Sequence, residues 1–163
     1  MTSHTLTIRP ATPADSAQIH AFIVELAIYE KAEHEVVANV ADIEESLFAP
    51  DSPARALMCY LGDQPIGYAV YFMSYSTWLV RAGCYLEDLY ISPLHRGSGA
   101  GKRLLRHIAQ LAVAQGCGRL EWSVLDWNEP AIRFYKSIGA QPQDEWVRYR
   151  MAGSGLLAFA EEN

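Results

Sequence analysis

The stretch from Cys84 to Gln115 limits what this chain can fold into more than any other. Cys84-Tyr85-Leu86-Glu87-Asp88-Leu89-Tyr90-Ile91 reads as a strand and Ser92-Pro93 as a turn; Arg96-Gly97-Ser98-Gly99-Ala100-Gly101-Lys102 is then a glycine-rich link into a helix. The helix follows from periodicity. Leu104, Leu105, Ile108, Leu111 and Ala112 recur at three-and-four spacing, Lys102, Arg103, Arg106, His107 and Gln110 fill the other face, and Gly116 stops it. A strand that delivers a glycine-rich turn to a helix N-terminus leaves backbone N–H groups unpaired and directed outward, which suits a phosphate. Two common phosphate loops fit poorly. In the nucleoside-triphosphate pattern a glycine should stand five before Gly101 and a hydroxyl residue after Lys102, but Arg96 and Arg103 are found there. A dinucleotide fingerprint starting at Gly97-x-Gly99 needs a small residue at Lys102.

The chain has 163 residues, half of them apolar, enough for one domain with a sizeable core, and no repeat or linker divides 1–163. Its apolar runs are too short for a membrane span, and Met1 to Arg9 lacks the apolar centre of a signal peptide. Cys59, Cys84 and Cys117 stand singly, which points to buried thiols in a reducing cytosol and to neither zinc, another metal nor a disulfide framework. A formal charge of −6 disfavours nucleic-acid and anionic-membrane partners and suits a cationic one.

Leu6 to Arg9 alternates as a strand and halts at Pro10. Thr12-Pro13-Ala14-Asp15 opens a helix, with Thr12 as N-cap and Ile19, Phe22, Ile23 and Leu26 as its buried stripe. Asn39 caps a second helix, which ends before Pro50. Arg55–Leu61 and Ile66–Met73 form a hairpin about Gly62-Asp63-Gln64-Pro65, and Ser74 to Gly83 connects to the next strand. Leu120–Leu125 is another strand, Asn128 caps a helix with Pro130 in its first turn and Gly139 at its end, and Glu145–Met151 is a last strand. The order β-α-α-β-β-β-α-β-α-β is mixed α/β, without the alternation of a doubly wound sheet.

The motif Arg96-x-x-Gly99-x-Gly101 resembles the pyrophosphate loop of the GNAT family of acyl-CoA N-acyltransferases. Further stretches are similar to its spermidine/spermine (diamine and thialysine) acetyltransferase branch: Ile8-Arg9-Pro10-Ala11-Thr12, Glu25-Leu26-Ala27-x-Tyr29-Glu30, Tyr85 to Ile91, and Trp127-Asn128-Glu129-Pro130-x-x-x-Phe134-Tyr135-Lys136. The resemblance covers nearly all of the chain up to about Trp146. It implies a GNAT fold, with a mixed central sheet of six or seven strands, splayed central strands and flanking helices, and a homodimer, with the last strand and Gly153-Ser154-Gly155 as the exchange region. It also implies acetyl-CoA as co-substrate. The pantetheine arm would lie along Leu89, Tyr90 and Ile91, the pyrophosphate on Arg96, Gly97, Ser98, Gly99, Ala100, Gly101 and Lys102, and the arm's other side against Asn128, Pro130 and Tyr135. Lys102, Arg103 or Lys136 would meet the 3′-phosphate.

Acetyl transfer to an amine needs a neutral nucleophile, a held carbonyl and a proton for the departing thiolate. A primary amine of pKa ~10.4 is neutral at pH 7 in only about one molecule in 2,500, a handicap of roughly 4.6 kcal/mol. Strand alternation puts Glu87 on one face with Tyr85 and Leu89 and turns Asp88 to the other, so Glu87 is the candidate base, in keeping with the role the resemblance gives it. The resemblance makes Tyr135 the acid; a phenol of pKa ~10 can protonate a thiolate. It also places Tyr29 and Glu30 with Glu87 in the amine pocket, and Glu33 and Glu35 add negative charge nearby. The stretch Gln141–Trp146 is shorter than in the polyamine enzymes, so the acceptor is left as a small primary amine: polyamine, diamine, thialysine or similar. A protein lysine or N-terminal acetyltransferase, a non-catalytic acetyl-CoA-binding module and a nucleotide-binding protein are the alternatives.

Overall fold

The computed structural model describes residues 5–162. It divides into two compact units, one closing at Ser123 and the other opening at Val124. The first is built from strands β1 (Leu6–Pro10), β2 (Ala54–Leu61), β3 (Gln64–Ser76), β4 (Arg81–Ile91) and β5 (Leu120–Glu121) and helices α1 (Ser16–Tyr29), α2 (Val40–Leu47) and α3 (Ala100–Ala114). The strands form one sheet in the order β1-β2-β3-β4-β5, antiparallel except for the parallel pair β4–β5. Its strand count among the described residues is five, not the six or seven expected.

Capping explains why the first two helices begin where they do. At the single helical turn Pro13–Asp15, Asp15 accepts from the backbone of Thr12 at 2.7 Å, and α1 follows. Asn39 and Asp42 cap α2 reciprocally, at 2.9 and 3.0 Å. Asp15 also takes both guanidinium nitrogens of Arg9, at 2.8 and 2.9 Å, which ties β1 to the start of α1. These bonds hold its carboxyl down to about 2, with the Arg9 contact the main cause.

Ala56 to Cys59 are all buried, so β2 is covered on both faces. On one face Ala56, Met58, Tyr68 and Tyr90 pack with Ile19 and Phe22 of α1 and Ile43 of α2. Phe22 stacks on Tyr68, with centroids 5.9 Å apart and planes 11° apart, and tilts against Tyr90. From α3, Leu104, Leu105, Ile108 and Ala112 are buried, as its periodicity requires.

Two expectations about the sheet change. Residues 74–83 are not a loose connection: β3 and β4 pair as far as Ser76 and Arg81, and the turn between them is made with Val80 at φ +52°. The strand expected over Leu120–Leu125 is only Leu120–Glu121, paired with Cys84 and Tyr85. β4 therefore runs on past its parallel partner. Beyond Tyr85 no strand among the described residues pairs with that edge.

The second unit holds α4 (Glu129–Ser137) and α5 (Gly153–Glu161). No strand forms over Glu145–Met151. The stretch has the alternation of a strand, but Trp146 donates its backbone N–H to the Gln143 carbonyl at 3.2 Å, and Trp146, Val147 and Tyr149 are exposed. Gly153, Ser154 and Gly155, expected to take part in exchange between protomers, form the first turn of α5.

Candidate active site

A change of register between β3 and β4 determines how the candidate site is built. Val70 lies opposite Asp88 and Tyr71 opposite Leu86, so Glu87 is an extra residue in β4, a β-bulge. Strict alternation stops there. Tyr68, Val70 and Phe72 share one face of β3, and their partners Tyr90, Asp88 and Tyr85 therefore share the face that packs on α1. The expectation that Tyr85 and Glu87 face one way and Asp88 the other is corrected: Tyr85 and Asp88 face together, and exposed Glu87 stands at the kink.

The bulge puts two adjacent carboxylates near a third. Glu30 ends α1 close enough to Asp88 and Glu87 for both to act on its charge. Burial, then Asp88, then Glu87 push the Glu30 carboxyl above the ordinary value. Asp88 is likewise pushed up, chiefly by burial and further by Glu87; the hydroxyl of Tyr68, donated to Oδ2 at 2.8 Å, opposes this. None of the ion pairs among the described residues includes Glu30, Glu87 or Asp88. No group of His, Cys, Asp and Glu among those residues is disposed to hold a metal ion. The arrangement is a half-buried concentration of negative charge for which the described chain provides no salt-bridge cation.

Below it, Tyr90 donates to Glu25 Oε2 at 2.6 Å, and burial together with Glu25 raises the phenol to about 12. Arg96 lies over the rings of Tyr29 and Tyr90, at 4.8 and 5.5 Å, and its Nε donates to the Ile91 carbonyl at 2.9 Å. Its guanidinium thus braces the end of β4 against the end of α1, and the loop that follows presents mainly backbone. Gly97 and Gly99 have φ of +78° and +84°, the left-handed region that glycine enters without strain, and Gly99 is the N-cap of α3. Ser98 donates its hydroxyl to the His95 carbonyl at 2.6 Å, so its side chain is spent within the loop. Ala100 is buried under the turn, while Lys102 is exposed. These features leave the first turn of α3 open for an anion to approach.

The structure thus gathers Tyr29, Glu30, Glu87, Leu89, Tyr90, Ile91 and residues 96–102 around the C-terminal end of β4. Asn128, Pro130 and Tyr135 belong to the second unit. Asn128 caps α4, its side chain accepting from Ala131 N at 3.4 Å; Pro130 sits in the first turn, and half-buried Tyr135 has Phe134 beside it at 5.6 Å between centroids. Asp88, Tyr68 and Glu25 are the residues that sequence reasoning missed. Strict alternation turns Asp88 away from the face of Glu87, and Tyr68 and Glu25 are visible only through their partners.

The chain is similar to known acetyltransferases over most of its length. The model of a family described as "Acetyltransferase (GNAT) family" matches residues 17–140. A thialysine N-epsilon-acetyltransferase of Mus musculus is 33% identical over 94% of this chain and 96% of its own length. An L-ornithine N5-acetyltransferase of Arabidopsis thaliana is 31% identical over 96% of this chain and 88% of its own. Among solved structures, an integron cassette protein from the mobile metagenome of V. cholerae aligns with a TM-score of 0.81 at 27% identity and covers 99% of both chains.

Proposed function

Because this chain belongs to the GNAT acetyltransferase family and is an acetyl-transferring enzyme, we propose that it moves an acetyl group from acetyl-CoA to the primary amine of a small cationic acceptor. One observation carries the choice of acceptor: Glu30, Glu87 and Asp88 crowd together with no salt bridge among the described residues. Burying carboxylates without a cation costs stability, and an arriving ammonium group would offset that cost. The thialysine and ornithine named in two relatives each carry a primary amine at the end of a flexible chain, the same chemical class.

In this reading the pantetheine arm pairs with the open edge of β4 along Leu89, Tyr90 and Ile91, and the pyrophosphate rests on the amides of residues 97–102. The acceptor enters as an ammonium ion. Glu87, exposed at the bulge, takes one proton through water, and the free amine attacks the thioester carbonyl. The C–N bond forms and the C–S bond breaks; Tyr135 gives its proton to the departing thiolate and regains one from the nitrogen, which sheds its second proton as the neutral amide forms. Asn128 and Pro130 shape the start of the helix that carries Tyr135. A homodimer in the cytoplasm is part of the same proposal, and the three free cysteines fit that compartment.

Free-thiol release from acetyl-CoA, measured against polyamines, thialysine, ornithine, lysine and lysine peptides, tests this. Turnover with at least one small diamine, faster than with any peptide and lowered ~100-fold or more by Tyr135→Phe, is the expected result. No turnover with any small amine, or a Tyr135→Phe protein at full rate, would overturn it.

A further inference from the structure

We propose that Tyr68 is a positioning residue for acceptor recognition: its phenol fixes Asp88 by one hydrogen bond and leaves Asp88 Oδ1 for the acceptor's ammonium group. The inference rests on the small-amine reading above. Its geometric basis lies in the aromatic core. Phe22, Tyr68 and Tyr90 pack together, and each tyrosine delivers its hydroxyl to a carboxylate: Tyr90 to Glu25 at 2.6 Å, Tyr68 to Asp88 at 2.8 Å. Tyr68 is wholly buried, and a phenylalanine would stack on Phe22 in the same way. A buried hydroxyl lowers stability unless it is partnered, so the partner at its end is what gives the hydroxyl a purpose.

That partner follows the bulge directly. Glu87 has been displaced from the ladder, and Asp88 is the first residue to regain register. The groups facing Asp88 are Glu87 on its own strand, Glu30 at the end of α1, and Tyr68 on β3; Tyr90, with Glu25 and Arg96 against it, lies one pair further along. Burial and Glu87 both favour the protonated acid, and the Tyr68 hydroxyl is the group that favours the carboxylate. Without it Asp88 would rotate freely and hold its proton to higher pH, and an acceptor would meet a neutral acid.

Tyr68→Phe tests this. The acceptor KM should rise about tenfold, the loss of roughly 1.4 kcal/mol of binding, with kcat within about twofold. The acid limb of kcat/KM should move to higher pH, and the KM for acetyl-CoA should not change. In an Asp88→Asn background the same substitution should add nothing, because the group it acts through is gone. Independently of turnover, the Asp88 carboxyl carbon followed by NMR should titrate at higher pH in Tyr68→Phe. A purely structural role would lower Tm and leave KM, the pH limb and the titration in place, and that result would overturn the proposal. Absence of wild-type turnover with every amine would instead overturn the reading on which it rests, while the Asp88 titration would still decide whether Tyr68 sets that carboxylate.

Discussion

Asp15 lies between a bidentate guanidinium and a backbone amide, whereas Asp88, in the same unit, lies between a phenol and two further carboxylates. The first is pulled down to about 2 and the second is pushed up. Arg9 complements Asp15 because that corner is structural: it joins a strand to a helix start, and Tyr60 extends the network, its ring 4.9 Å from the Arg9 guanidinium. No salt bridge complements Asp88, Glu87 or Glu30 among the described residues. A fold able to neutralise one carboxylate so fully has the means to neutralise the others. Their lack of a salt bridge is the feature on which the proposed binding of a cationic acceptor rests.

The strongest way to break this contrast is at the bulge. Glu87→Gln should lower kcat/KM ~100-fold or more, read as thiol release, with a Tm close to that of the wild type, because Glu87 is exposed and outside the ladder. If Tm fell while the rate held, the bulge would be a structural device and the comparison would fail. Next in size is Asp15→Asn, which should cost about 2 kcal/mol of stability in urea and leave the specific activity of the folded fraction unchanged.

Smallest is the pH dependence of stability, where the two corners should pull in opposite directions. A lowered carboxyl such as Asp15 contributes stability that is present above the ordinary value near ~3.9 and lost as pH falls toward about 2. Raised carboxyls such as Glu30 and Asp88 bind protons more tightly when folded, so their ionisation costs stability as pH climbs from the ordinary value through the raised one. Urea titrations from pH 2 to 7 should therefore show Asp15→Asn flattening the acid-side loss, and Asp88→Asn removing part of the decline above it.

How much of this could be read in the sequence depended on whether local pattern or partner register carried the information. The α3 stripe from Leu104 to Ala112, the caps at Thr12 and Asn39, and the turns at Gly97 and Gly99 are local, and each forms as the residues indicate. The bulge at Glu87 is different. Nothing in Tyr85 to Leu89 distinguishes an even strand from one carrying an extra residue; only the pairing of Val70 and Tyr71 does, and so Asp88 was assigned the wrong face. The β3–β4 turn was missed because Trp78-Leu79-Val80 contains no glycine, asparagine or proline, and Val80 itself enters the left-handed region. Glu145–Met151 differs in the other direction: alternation alone does not make a strand, because pairing is decided outside the segment. The second helix of the second unit was obscured by Gly153 and Gly155, poor helix formers in its first turn.

The measurement that bears most directly on the account is the acceptor KM of Asp88→Asn and Asp15→Asn, determined side by side with acetyl-CoA saturating. The account predicts that KM rises about tenfold in Asp88→Asn and stays at the wild-type value in Asp15→Asn. A KM that moved equally in both, or in neither, would contradict it.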